Sequence, residues 1–273
     1  FGTGYFQETD PIRLFDDCSG YNQMAVTPAQ FARMLPAALQ HAIHRREVAV
    51  VGLPGDVAAS PCAESPGASG PLPSHGIYRP LDGELRQLAE MIGSAERITV
   101  FCGIGAREAH DEVVRLAAML KAPVAYTFKA KMEVQYDNPY EIGMTGLLGL
   151  PSAYGAMHES DLLLLLGTDF PYDCFLPSEC RIAQVDIRPE RIGRRARVEL
   201  GLAGDVKETL QALFPMLRER SDRVFLDRQL KIYGALCDDM AAVASKRGSA
   251  GNIAPEYVAT LIDTLASDSA IFT

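Results

Sequence analysis

Three short runs have the residue types of ligand-holding loops: Thr145-Gly146-Leu147-Leu148, Thr168-Asp169-Phe170-Pro171-Tyr172, and the acid Asp186 near the end of an apolar run. Glycine and hydroxyl residues leave backbone N–H groups open to a ligand. A carboxylate at a strand end accepts from ribose hydroxyls or an adenine amino group. The chemistry that fits this spacing is the holding of a nucleotide-sized cofactor. The same spacing also describes an ordinary α/β sheet with tight turns, and Asp186 also suits a cap for the turn Ile187-Arg188-Pro189.

A fourth loop, Cys102-Gly103-Ile104-Gly105-Ala106, stands between an apolar run and a helical pattern, where backbone amides and a helix N-terminus can hold a phosphate. It lacks the third glycine of a dinucleotide fingerprint, so a plain strand-to-helix turn is the competing reading. Lys129-Ala130-Lys131 follows the next strand, where surface lysines are the commoner case. Asp205, after Gly204, repeats the situation of Asp186 and also suits the cap of a helix over 206–219.

These loops need a sheet to position them. Leu162–Leu166 is apolar throughout and Ile182–Ile187 largely so, as strands buried on both faces require. From Gly83 the pattern alternates: a helix over 83–94, a strand Ile98–Cys102, a helix over about 106–120 and a strand Val124–Thr127. A strand Val198–Ala203 follows the two leucine- and isoleucine-rich runs. Such alternation predicts an α/β fold with a parallel sheet flanked by helices and right-handed crossovers.

Upstream, Thr27-Pro28 starts a helix running to about Arg46, with a kink expected at Pro36, and Val48–Leu53 reads as a strand. Residues 57–82, with Pro61, Pro66, Pro71, Pro73 and Pro80, read as an interdomain linker. Downstream, helices are expected over about 222–245 and 254–266. The closing Ser-Asp-Ser-Ala-Ile-Phe-Thr reads as an unfinished strand from about Ala270, which suggests a piece of something longer.

The chain has 273 residues, 48% of them hydrophobic, enough for a substantial core. A formal net charge of -9 argues against nucleic acid as a partner. The compact basic clusters, His44-Arg45-Arg46 and Arg194-Arg195-Ala196-Arg197, read as solvated faces. Six scattered cysteines and five scattered histidines show neither zinc spacing nor a disulfide framework, so no metal site is expected and reduced thiols in a cytoplasmic protein are. No run approaches the length of a membrane helix, and no signal peptide opens the chain.

The segments MTGLLG (144–149), LLGTDFPY (165–172) and VDIRPERIG (185–193), in this order, resemble the central domain of pyruvate oxidases and quinone-linked pyruvate dehydrogenases, members of the thiamine-diphosphate (ThDP) enzyme superfamily. The resemblance spans Tyr5 to Thr273. It implies a Rossmann-like, FAD-binding central domain over 83–218, the end of the ThDP pyrimidine-binding domain over 1–56, and the start of the diphosphate-binding domain over 219–273. The FAD neighbours it implies are Gly103, Gly105, Arg107, Thr145–Leu148, Thr168–Tyr172, Asp186 and Asp205. Arg107 would help to neutralise the pyrophosphate, and Phe170, Pro171 and Tyr172 would lie nearest the flavin. Phe6 and Gln7, in YFQETD, match positions at the substrate end of the ThDP site. Relatives commonly have glycine where this chain has Ala130.

By the same resemblance, the parent enzyme would decarboxylate pyruvate on ThDP and Mg²⁺ and pass electrons through FAD to quinone or oxygen. It would act as a homo-oligomer, dimer or tetramer, touching the inner face of the cell membrane only through a C-terminal segment outside this chain. Neither a Gly-Asp-Gly…Asn segment nor the expected catalytic Glu occurs here, so this stretch alone is expected to be inactive. Acetolactate synthases are the alternative relatives, but they usually show a GARFDDR-like run where this chain reads GTDFPYD. A cofactor-free scaffold domain is the other alternative.

Overall fold

The computed structural model describes residues 2–62, 76–246, 248, 252–267 and 269–272. It divides into two compact units, Phe1–Gly76 and Ile77–Thr273. Half of the stretch read as a linker, residues 63–75, lies outside the described residues.

In the first unit, helix α1 (Pro11–Phe15) precedes strand β1 (Tyr21–Met24), helix α2 (Pro28–Arg45), strand β2 (Ala49–Gly52) and helix α3 (Gly55–Ala59). The two strands pair in parallel, from Tyr21 opposite Ala49 to Met24 opposite Gly52. The hydroxyl of Thr27 accepts from the Gln30 N–H at 3.1 Å and Pro28 takes the first helical position. That satisfies a donor which the first turn leaves open. Helix α2 runs through Pro36 as one element.

The second unit is built on a six-stranded parallel sheet in the order β5-β4-β3-β6-β7-β8. Its strands are β3 (Ile98–Cys102), β4 (Val124–Tyr126), β5 (Glu141–Met144), β6 (Leu162–Leu166), β7 (Arg181–Asp186) and β8 (Leu200–Ala203). Helices α4 (Asp82–Ser94), α5 (His110–Leu120), α6 (Lys131–Val134) and α7 (Pro151–Glu159) precede β3, β4, β5 and β6 in turn. The 3-10 turns Asp173–Phe175 and Pro189–Arg191 link β6 to β7 and β7 to β8, and α8 (Val206–Leu213) follows β8. Helices α9 (Val224–Ala244) and α10 (Pro255–Leu265) follow. The expected α/β class with a helix-flanked parallel sheet is what forms. No described helix is long and apolar enough to cross a membrane.

The five leucines of β6 show why the sheet needs apolar residues on both faces. Side chains of a strand alternate between faces. Leu162, Leu164 and Leu166 join the core packed by α4, α5 and α8, with Leu85, Leu116 and Leu210. Leu163 and Leu165 join the other core, with Ala153 and Met157 of α7 and, at its margin, Leu230 and Tyr233 of α9. Each leucine buried this way stabilises the fold by about 2 kcal/mol.

Several expected boundaries move. Helix α5 begins at His110 instead of 106, because Ile104–Ala106 close a 3-10 turn first. Helix α8 ends at Leu213, and Pro215 confines the next residues to a 3-10 turn, Phe214–Met216. No strand forms over 269–272. An apolar run makes a strand only against a neighbouring strand, and the described residues offer it none.

Candidate functional site

The strand order makes the chain reverse direction between β3 and β6: β4 and β5 extend one way, β7 and β8 the other. In open parallel sheets of this kind ligands bind outside the carboxyl ends of the strands at such a reversal. The residues singled out from sequence in this unit, Asp205 aside, follow the carboxyl ends of β3, β5, β6 and β7, and direct contacts join their loops into one surface.

At the reversal two loops touch backbone to backbone. Gly103 N–H donates to Leu166 O at 2.8 Å and Gly105 N–H to Gly167 O at 3.0 Å. A Cβ on Gly105 would lie 2.7 Å from Gly167 Cα. Loop-to-loop contact alone therefore demands glycine here. The later start of α5 also takes the helix N-terminus away from Gly103–Ala106, correcting the expectation that the helix opens directly on this turn. Arg107 donates to the Glu133 carboxylate at 3.0 Å. Lys131 is engaged with Gln135, and Ala130 is buried in the first core.

After β5, Thr145 is buried and its Oγ1 has no hydrogen-bond partner. A buried hydroxyl left so costs roughly 1–3 kcal/mol, which a ligand group would recover. Gly146, with φ +113°, passes over the Phe170 ring; a Cβ there would come within 3.3 Å of it. Leu147 and Leu148 stand out in solvent at 71% and 72% exposure. Phe170 itself faces inward, edge-on to Phe101 and to Tyr172 at 5.2 and 5.5 Å between centroids, so its ring supports the loop while Pro171 and Tyr172 are exposed.

At the end of β7, Asp186 is 6% exposed and accepts from the Arg188 N–H at 2.9 Å. The expected cap of the turn is present. Burial pushes its carboxyl above the ordinary range, opposed by that hydrogen bond and by Arg191. Asp205 caps α8 by accepting from Glu208 N–H at 3.2 Å. An Asp205→Ala chain is therefore expected to lose about 1 kcal/mol and to melt roughly 2–4 °C lower; an unchanged thermal midpoint would show that the cap contributes nothing.

Phe6 and Gln7 belong to the first unit. Phe6 is 80% exposed, and Gln7 takes the left-handed conformation at φ +60°.

Two features escaped the sequence reading. Gln184, buried in β7, donates from Nε2 to Thr168 O at 3.1 Å and to Arg191 O at 3.4 Å, and accepts from Gly193 N–H at 2.9 Å. It ties the loops after β6 and β7 together, and only a polar residue in an otherwise apolar run signals it. The second is a correction: Arg194 and Arg195 are not a simple solvated face. Arg194 Nη1 and Arg195 Nε each approach Asp169 at 3.3 Å, joined by Arg191 Nη1 at 3.5 Å.

Comparison with known proteins fits this geometry. Residues 85–213 match the family described as "Thiamine pyrophosphate enzyme, central domain". That stretch, just under half of the chain, is thus similar to the central domain of thiamine pyrophosphate enzymes, and it carries this six-stranded parallel sheet. A protein of Pseudomonas amyloderamosa called "Uncharacterized 42.6 kDa protein in isoamylase 3'region" is 46% identical over 85% of this chain and 59% of its own. The pyruvate oxidase of Lactiplantibacillus plantarum is 27% identical over 79% of this chain and 36% of its own. An acetolactate synthase of Mycobacterium bovis is 28% identical over 99% of this chain and 46% of its own. The chain therefore spans between about a third and three fifths of the length of these relatives.

Proposed function

We propose that the second unit holds FAD across the carboxyl ends of β5, β6 and β7, as the central part of a ThDP- and FAD-dependent pyruvate dehydrogenase of the quinone-linked type. The observation that carries this is the partnerless buried hydroxyl of Thr145, which shares one surface of touching loops with Thr168–Tyr172 and the desolvated Asp186. A ligand with hydroxyl and amide groups answers both.

The residues present fit the cofactor. Asp186 would accept from ribose hydroxyls, Thr145 Oγ1 would gain its missing partner, and the exposed Leu147, Leu148 and Tyr172 would exclude water from a ring system laid against them. Bound there, FAD supplies electron transfer, and the protein's part is to hold and orient it. The parent enzyme's substrates are then pyruvate and quinone. Phe6 and Gln7 serve its ThDP site, and it works as a cytoplasmic homo-oligomer with ThDP and Mg²⁺ held largely by further domains. The acetolactate synthase relative matches as well as the pyruvate oxidase does, so the choice between them rests on Thr168-Asp169-Phe170-Pro171-Tyr172.

The test is the visible spectrum of the purified chain after FAD is added and the excess removed. Stoichiometric flavin bands are expected, and they should be lost when Thr168 and Asp186 are replaced together by Val and Asn. A folded chain that retains no flavin would return the domain to a cofactor-free scaffold.

A further inference from the structure

Three guanidinium groups from the loop after β7 meet one carboxylate from the loop after β6. Asp169 is the common partner of Arg191, Arg194 and Arg195, and its side chain is only 11% exposed. Three positive charges against one negative leave an excess of two, and an excess of one remains if Asp186, which also feels Arg191, is counted. The contacts are slack, 3.3–3.5 Å, against about 2.7–2.9 Å for a tight charge-assisted bond. Each arginine reaches Asp169 through one nitrogen and keeps most of its five N–H donors for another acceptor.

The loop is also built to stay in place. Gln184 holds Arg191 O and Gly193 N–H from inside the sheet and Thr168 O from the neighbouring loop. Gly193 turns at φ +74°. The arginines are thereby fixed beside the loop after β6 and the acid at the end of β7. Arg107, the residue first expected to meet a phosphate, is already paired with Glu133.

We propose that Arg191, Arg194 and Arg195 form an anion clamp that takes a phosphate group of the bound nucleotide alongside Asp169. The phosphate's identity as part of FAD rests on the reading above; the clamp itself does not. Asp169 has two tasks, spacing the three guanidinium groups and keeping them from repelling one another before the ligand arrives. The forked geometry of arginine suits a phosphate's oxygens better than lysine's point charge does.

The experiment uses the full 273-residue chain. Inorganic pyrophosphate is titrated by calorimetry, and FAD and riboflavin by flavin fluorescence, into the unaltered chain and an Arg194→Gln/Arg195→Gln double variant. Pyrophosphate and FAD are each expected to bind the double variant about tenfold or more weakly, with riboflavin, which has no phosphate, unchanged. An Arg194→Lys/Arg195→Lys chain, which keeps the charge, should recover only part of the loss and guards against a folding artefact. Pyrophosphate binding that depends on the arginines, with no flavin bound by any chain, would uphold the clamp and sink the FAD reading. FAD affinity that is unchanged in the glutamine variant, or that falls together with riboflavin affinity, would overturn the clamp, as would a chain that binds no pyrophosphate.

Discussion

A Gly167→Ala chain is expected to lose about 3 kcal/mol and to melt roughly 6–12 °C below the unaltered chain. Two costs add. Gly167 sits at φ +61°, where a side chain costs roughly 1–2 kcal/mol. Its new Cβ would also lie 2.5 Å from Gly105 Cα and 2.6 Å from Gly105 C. These are backbone atoms that cannot swing aside, so the loops after β3 and β6 must part, at roughly 1–3 kcal/mol for overpacking. Gly155→Ala in α7 is the matched control: nothing lies within 4 Å of its Cβ position. There alanine should stabilise by roughly 0.5–1 kcal/mol. Thermal unfolding followed by circular dichroism decides the matter. A Gly167→Ala midpoint within about 2 °C of the unaltered chain would mean that the two loops do not need their close approach.

Asp186→Asn is expected to separate stability from binding. Burial raises this carboxyl's pKa in the folded chain, so between the ordinary carboxylate range and the raised value the folded state binds more protons than the unfolded one. Stability attributable to Asp186 therefore falls as pH rises through that window and is highest below it. Asparagine removes the ionisation while its Oδ1 can still accept from Arg188 N–H. At neutral pH the variant should melt no lower than the unaltered chain, and its stability should lose the part of the pH dependence that Asp186 supplies. FAD binding should nonetheless weaken roughly 10- to 100-fold, the worth of a hydrogen bond to a charged group. Melts across pH and a flavin titration read the two effects separately. A variant that is both clearly destabilised and unchanged in FAD affinity would make Asp186 a structural cap and nothing more.

The parts of this architecture that announce themselves in the sequence are those set by local composition. Five consecutive leucines bounded by turn residues read as a strand covered on both faces, and Thr27-Pro28 opens a helix by the chemistry of its own first turn. Strand β5 was not legible: Glu-Ile-Gly-Met carries a glycine at φ +86° and pairs with β4 through an irregular register, so pairing makes it a strand where propensity does not. The start of α5 was misplaced because apolar spacing cannot distinguish a helical turn from the 3-10 turn that Gly103–Ala106 close. The arginines were misread for a reason of distance. Their partner Asp169 lies 25 and 26 residues upstream of Arg194 and Arg195, and only the parallel crossover brings them together. A run of arginines beside a glycine gives no local hint of that.

The packing of α9 against β5 also sets a timetable. Glu141, at the start of that edge strand, meets its hydrogen-bond partner Tyr233 only 92 residues later in the chain. Leu226 and Gln229, on the same helix, end fully buried as well. At ribosomal rates of about 5–20 residues per second, β5 waits roughly 5–18 s after emerging before that cover is even synthesised. During this interval the newborn sheet shows one face and one edge incomplete, a natural place for a chaperone to sit. A message cut short before α9 would leave that vacancy permanent.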